Sequence, residues 1–333
     1  MKKKNYLFSF AMILVLALFL AACGGDDEAD NGDGDSAEGG ETPEFLQMLT
    51  GGTSGTYYPL GGEMAKIISD ETGMETNAVS SNASADNMIS LQEGEAELAF
   101  VQTDVAANAI DGVNSFDGNP VDNVSAIGSL YPETIQIVTT ADSGIGSVED
   151  LAGKTVSVGA PGSGTFVNAE QILEIHGMTM DDINQENLDF GESTGGIQDG
   201  NIDAAFITSG TPTGAVEGLA ATVDISIVPI EQEKVDALVE EYPYYAADTV
   251  PAETYSGQAE EVNTVAVLAM LAVTNSLSED AVYDITKAIY ENTDGMAHAK
   301  AEFISTDSAL DGIGIDVHPG AQKYFDEVGV SAE

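Results

Sequence analysis

Three kinds of hydrophobic pattern follow one another along the chain. Residues 7–20 are apolar apart from Ser9; a basic patch of Lys2, Lys3 and Lys4 precedes them, and the small residues Ala21 and Ala22 lead to Cys23. A run of that length is too short to span a bilayer as a permanent helix, and it is closed as a secretory signal is, so cleavage is expected after residue 22. Residues 24–43 are rich in Asp, Glu, Gly, Asn and Ser. They offer too little apolar surface to offset the entropy of ordering, and a flexible acidic tether over 23–43 is predicted. From residue 45 onward, short apolar runs alternate with stretches whose apolar residues recur at helical spacing.

That alternation predicts an α/β protein. A strand at 45–49 leads through the loop 50–56, with three glycines and four hydroxyl side chains, into a helix on which Leu60, Met64, Ile67 and Ile68 recur at helical spacing behind Pro59. Ser84 is placed to cap a helix carrying Met88, Ile89 and Leu91 and ending near Gly94. Residues 98–101 read as a buried strand, and 125–130 and 134–140 as two strands around Tyr131-Pro132. A strand at 155–159, the loop 160–165 and a helix at 166–176 repeat the first arrangement. Strands are also expected at 202–207 and 264–273, and Ser278 caps a last helix whose first turn holds Glu279 and Asp280, acids that oppose the positive dipole end. Strands alternating with helices imply open, largely parallel sheets, with ligands beyond the carboxyl ends of the strands.

Charge narrows the function. The 333 residues carry a formal charge of -48. All nine basic residues are lysines, and removing Lys2, Lys3 and Lys4 with the signal takes -48 to -51. Nucleic acid is excluded as a partner, because phosphate binding needs clustered Lys and Arg. Adhesion to an anionic lipid surface is excluded on the same ground. A surface so charged repels itself in dilute buffer and is favoured by screening salt, which points to a saline or alkaline habitat. Cys23 is the only cysteine, so no internal disulfide supports the fold. Leu20-Ala21-Ala22-Cys23 resembles the lipobox of bacterial lipoproteins, which implies a diacylglycerol on the Cys23 thiol and an extracytoplasmic, lipid-anchored protein.

The strongest chemical signal is the stretch 156–165, Val-Ser-Val-Gly-Ala-Pro-Gly-Ser-Gly-Thr. Glycines let backbone amides approach a ligand, the following helix adds its free N–H groups, and Ser163 and Thr165 add hydroxyls. The result is a neutral cradle for an anionic head group; a plain strand-to-helix turn gives the same pattern. It lacks the Gly-Lys-Ser/Thr of a phosphate-binding P-loop. Tyr57 and Tyr58 either stack over a ligand or staple the helix start. Gln102 and Asp104 close a strand at its carboxyl end. His176, His298 and His318 are scattered, with neither metal-ligand spacing nor a neighbouring nucleophile. No cofactor or metal is expected.

Taken in order, the motifs are similar to those of TAXI receptors, the solute-binding subunits of one branch of tripartite ATP-independent periplasmic (TRAP) transporters. They are the first loop from Thr50 to Gly62, Ala83-Ser84-Ala85-Asp86-Asn87, the stretch 94–104, Tyr131-Pro132-Glu133, the stretch 150–165, Asp203-Ala204-Ala205-Phe206 and Tyr255-Ser256-Gly257. The resemblance covers residues 45–325. It implies a two-lobed periplasmic-binding-protein-like (type II-like) fold that closes on its ligand at a hinge. Lobe 1 would comprise 44–137 plus 265–333 and lobe 2 residues 138–264, with hinge strands near 134–140 and 264–273. It also implies capture of glutamate, glutamine or a related dicarboxylate or keto acid, handed to an ion-gradient-driven permease, and no enzymatic activity. Carried over, the ligand site comprises Ser54, Thr56 and Tyr57, then Asn82, Ala83 and Ser84, then Gln102, Asp104 and Tyr131. Gly162, Ser163, Gly164, Thr165 and Gly210 complete it. TRAP receptors of the other main class commonly clamp a carboxylate with arginine, which this chain lacks, so amides, hydroxyls and helix ends would hold the anion. Asp104 is placed to meet a ligand ammonium. The competing readings are an ABC-type binding lipoprotein, an exported hydrolase with Ser163 as nucleophile, and an adhesion or signalling lipoprotein.

Overall fold

The computed structural model describes residues 43–331, so the signal segment, Cys23 and the tether before Pro43 lie outside the described residues. The first part of the chain runs β1 (Phe45–Leu49), α1 (Tyr57–Thr72), β2 (Glu75–Val79), α2 (Ser84–Glu93), β3 (Leu98–Gln102), α3 (Thr103–Asp111) and β4 (Val124–Thr140). The middle part runs β5 (Thr155–Ser157), α4 (Gly164–Ile175), β6 (Asn184–Glu186), α5 (Phe190–Gln198), β7 (Ala204–Ser209), α6 (Gly214–Ala220), β8 (Ile225–Val228), α7 (Gln232–Glu241) and β9 (Ala246–Val250). The chain returns through β10 (Val262–Thr274), α8 (Glu279–Glu291) and α9 (Pro319–Val328).

The helices form where the apolar spacing predicts them. On α1, Leu60, Met64 and Ile68 are fully buried, and Gly73 ends the helix in the left-handed conformation at φ 78°. Ser278 begins α8 as expected, its Oγ accepting from the N–H of Ala281 at 3.2 Å. Ser84 does not cap α2. It sits inside the first turn, and its Oγ instead accepts the N–H of Gln102 at 3.1 Å, tying α2 to the end of β3.

The strands are joined in the order β2-β1-β3-β10-β4-β7-β5-β6, with β8 also on β4 and β9 on β10. Pairs among β1, β2 and β3, and among β5, β6 and β7, are parallel. The long strands β4 and β10 are antiparallel to their neighbours, so the sheets are mixed rather than largely parallel. The reason is connectivity: β4 carries the chain from the first lobe to the second, and β10 brings it back.

Tyr131-Pro132 does not separate two strands. β4 is continuous over 17 residues. Proline has no N–H for the ladder and belongs at a bulge. Pro132 pairs with Leu268, and the register shifts between Leu268 and Met270 on the facing strand.

Four apolar clusters lie on the faces of the sheets. In the first lobe, one cluster packs α1, α8 and α9 against the sheet through Leu60, Ile285 and Phe325, and a second packs α2 and α3 through Met88 and Val105. In the second lobe α4 and α7 supply Ile172 and Leu238, while α5 and α6 supply Ile197 and Leu219. Along β4, Leu130 and Tyr131 belong to the first lobe's core and Ile135 and Ile137 to the second's. Along β10, Val265 and Val267 belong to the second lobe and Ala269 and Leu271 to the first. Residues 132–134 of β4 and Leu268 of β10 therefore separate the two cores. Among the described residues no helix is long and apolar enough to cross a membrane.

Candidate functional site

The two glycine loops and the crossing strand β4 meet in one crevice between the lobes. The cavity it encloses is about 50 Å3, small beside the ~300–1,000 Å3 of open small-molecule sites. From the first lobe come Gly51, Gly52, Gly55, Thr56, Tyr57, Ser81, Asn82, Ala83, Ser84 and Gln102. Glu133 of β4 lies on the wall, and the second lobe supplies Ala160, Ser163, Gly164, Thr165, Asp189, Phe190, Thr208 and Ser209.

Local chemistry explains why the backbone turns here. Ser163 is the N-cap of α4, its Oγ accepting from the N–H of Phe166 at 3.3 Å. That leaves the amides of Gly164 and Thr165, which have no acceptor within the helix, at the crevice wall. Gly159 has φ 90°, and a Cβ there would lie 2.7 Å from both Ser163 Oγ and Thr165 Cβ, so the tight turn before α4 requires glycine. Ala83, by contrast, holds φ 72° and ψ -151°, a region ordinarily left to glycine. This strained alanine lies on the crevice wall.

The lobes touch through small polar groups. The carbonyl of Gly162 accepts from Ala85 N–H at 3.0 Å and Asp86 N–H at 3.3 Å. Thr56 N–H donates to Ser209 Oγ at 3.3 Å, and Ala215 N–H donates to the carbonyl of Ser54 at 3.1 Å. A Cβ on Gly164 would fall 1.9 Å from Gln102 Oε1, so the start of α4 reaches the first lobe only because that position has no side chain.

The charged side chains facing the crevice are both acidic, Glu133 and Asp189. Glu133 is 2% exposed, and Tyr57 donates its hydroxyl to Glu133 Oε2 at 2.8 Å. Burial pushes the Glu133 carboxyl up to about 8; hydrogen bonds from Tyr57 and Gln102 oppose this, and the Asp104 charge adds to it. Burial, and then Glu133, hold the Tyr57 and Tyr131 phenols well above their ordinary range. Asp189 is the N-cap of α5, accepting from Glu192 N–H at 2.8 Å.

Thr56, Tyr57, Asn82, Ala83, Ser84, Gln102, Ser163, Gly164 and Thr165 thus come together from distant parts of the sequence. Five expected residues stand elsewhere. Asp104 is fully buried behind the wall, where Asn168 donates to its Oδ2 at 3.2 Å, and burial pushes its carboxyl up to about 6. Tyr131 is packed in the first lobe's core with its hydroxyl unpartnered. Gly162 serves the contact between lobes, and the carbonyl of Gly210 accepts from Thr213 Oγ1 at 2.8 Å. Ser54 lines an adjoining groove with Pro212 and His298.

Glu133 is absent from the expected site although Tyr131-Pro132-Glu133 is one of its motifs; the signal for it is a single charged residue in an otherwise uncharged strand. Asp189 was legible as well, since Asp189 with Glu192 three residues on is a capping box. No histidine is among the residues lining the crevice, and Ser163 Oγ is engaged as the cap of α4.

A family model described as the NMT1-like family matches residues 48–329. Among solved structures, a protein of Bordetella bronchiseptica RB50 shares the fold at a TM-score of 0.54 and 16% identity, over 85% of this chain and 84% of that one. A structure described as a periplasmic transporter does so at a TM-score of 0.52 and 13% identity, over 85% and 92%. The substrate binding protein of an amino acid ABC transporter is similar at 0.47 and 12% identity, over 78% and 96%.

Proposed function

We propose, from the premise that this chain belongs to the NMT1-like family, that it is an extracytoplasmic solute-binding protein that captures a small amino acid between its lobes. The observation that carries this is the composition of the crevice wall. Hydroxyl-bearing residues line it from both lobes, the amides at the start of α4 stand at its wall, and the flanking charged groups are carboxyls without a lysine among them. An amino acid's carboxylate suits the amides at the start of α4. Its ammonium suits Glu133. Glu133 holds its proton up to about 8 in the empty crevice; once ionised, it attracts an opposite charge at about 4 Å by about 4 kcal/mol at an effective dielectric of 20, and repels a second ligand carboxylate by as much. The site therefore favours an α-amino acid over the matching keto acid or a plain dicarboxylate. Glu133 takes the part that the sequence reading gave to Asp104.

The lobes expected at 44–137 plus 265–333 and at 138–264 would pivot where β4 and β10 pass between cores, at Tyr131–Glu133 and near Leu268. Delivery to a membrane permease follows from the same reading, with Cys23 as the lipid anchor. The motif resemblance is to TAXI receptors of TRAP systems, and ABC-type delivery is the second reading. Both use this fold, so the permease must be read from transport. Uptake by cells carrying the receptor and its neighbouring permease, measured after collapse of either the ion gradients or the ATP pool, decides between them.

A thermal-shift series with amino acids, keto acids and dicarboxylates tests the central claim. An amino acid at a hundred times its Kd adds about 2.7 kcal/mol of stability. Equal or tighter binding of the matched keto acid overturns the assignment of Glu133, and failure of every small solute overturns the function.

A further inference from the structure

A second site lies in the other half of the protein's chemistry, outside the crevice. Glu149 on the short turn Val148–Leu151, His176 at the carboxyl end of α4 and Glu231 at the start of α7 bring one donor atom each to within 4.8 Å of one another. No local spacing announces the cluster, because its members are 27 and 55 residues apart in sequence.

The histidine gives the cluster its meaning. Its side chain is 1% exposed, and Nδ1 lies 2.6 Å from the carbonyl oxygen of Ile172. A carbonyl only accepts, so Nδ1 carries a proton. In the neutral ring Nε2 then presents a lone pair, and it has no hydrogen-bond partner. A lone pair aimed at carboxylates is repulsive unless a cation lies between them. A proton on Nε2 would be one such cation, but Nε2 is 3.5 Å from Glu231 Oε2, well beyond the 2.7–2.9 Å of a charge-assisted bond. Two donors each ~2.05 Å from a tetrahedral metal ion stand about 3.3 Å apart, close to the 3.5 Å between His176 Nε2 and Glu231 Oε2, and Glu149 lies within 4.8 Å of both. The backbone-held Nδ1 is also the usual support of a metal-binding imidazole. The carboxyl end of α4 adds a negative helix terminus. Lys234, the neighbouring cation, donates instead to the carbonyl of Ile175 at 2.7 Å.

We propose that Glu149, His176 and Glu231 bind a first-row divalent metal ion such as Zn2+, with a fourth position open to water. One imidazole and two carboxylates suit that class. The ion links three segments of the second lobe, α4, α7 and the Val148–Leu151 turn, and acts there as a structural clip.

The test uses the purified, chelator-treated chain titrated with Zn2+ in excess Mg2+ and high salt, which suppress loose binding to the acidic surface. One Zn2+ per chain is expected, with a rise in Tm, and Co2+ should give visible absorption bands from the same site. Glu149→Gln and Glu231→Gln each should weaken binding about tenfold or more. Both glutamates are exposed, so these variants fold and decide the matter even where His176→Gln does not. Absence of saturable binding, or binding that both glutamate variants retain, overturns the proposal.

Discussion

Glu133→Gln should uncouple folding stability from pH. The native carboxyl is 2% exposed and is raised by burial from its ordinary 4.5 to about 8. A carboxyl raised on folding holds its proton in the folded chain while the unfolded chain has lost it. The folded state therefore binds more protons between those values, and stability falls as pH rises through the window, levelling above about 8. At ~1.4 kcal/mol per pH unit, the window from 4.5 to about 8 gives at most roughly 5 kcal/mol. The full value belongs to lobes that stay closed; opening hydrates the carboxylate and lowers it. Glutamine keeps the volume and an acceptor for the Tyr57 hydroxyl but does not titrate. Asp104, raised to about 6 by its own burial, adds a smaller slope of the same sign to both proteins. Urea unfolding of the ligand-free chain across this window should show the variant gaining on the parent steadily as pH rises. Parallel profiles would refute the reasoning.

Four further outcomes are expected. Gly164→Ala places a methyl group against Gln102 and should oppose closure by about 1–3 kcal/mol, weakening amino-acid binding in calorimetry several-fold or more while Tm stays level. Ala83→Gly relieves a backbone region that costs about 1–3 kcal/mol and should raise the Tm of the ligand-free chain; a lower Tm would show the alanine to be unstrained. Binding of an amino acid should tighten as pH rises toward about 8, because a bound ammonium displaces the Glu133 proton; a flat Kd on approach to that pH removes Glu133 from recognition. Melting in a salt series should show Tm rising with NaCl, as screening relieves self-repulsion; no gain would count against the habitat inferred from charge.

Much of the fold was legible because burial imposes a period. Leu60, Met64 and Ile68 mark the buried face of α1 without reference to anything distant, and 98–101 reads as a buried strand on its own. The continuous β4 was not legible. Whether Pro132 ends a strand depends on the register shift of a facing strand far along the chain, which no local pattern records. The site divides in the same way. Ser163, Gly164 and Thr165 sit where a glycine loop meets a helix, so sequence finds them. That Glu133 lines the crevice while Asp104 is buried against Asn168 of α4 is set by tertiary packing. The Glu149, His176 and Glu231 cluster is assembled wholly by tertiary packing and left no trace in spacing.

The narrow crossing of β4 and β10 has a mechanical consequence. Glu133 stands on the segment about which the halves would turn, so a solute seated there acts at the fulcrum of a lever. A displacement of tenths of an ångström at that point is magnified in proportion to distance, and the outer rims travel farthest. Under the proposed closure, occupancy would be announced by the relative position of the two lobes, with no relay of side chains needed to carry the message outward.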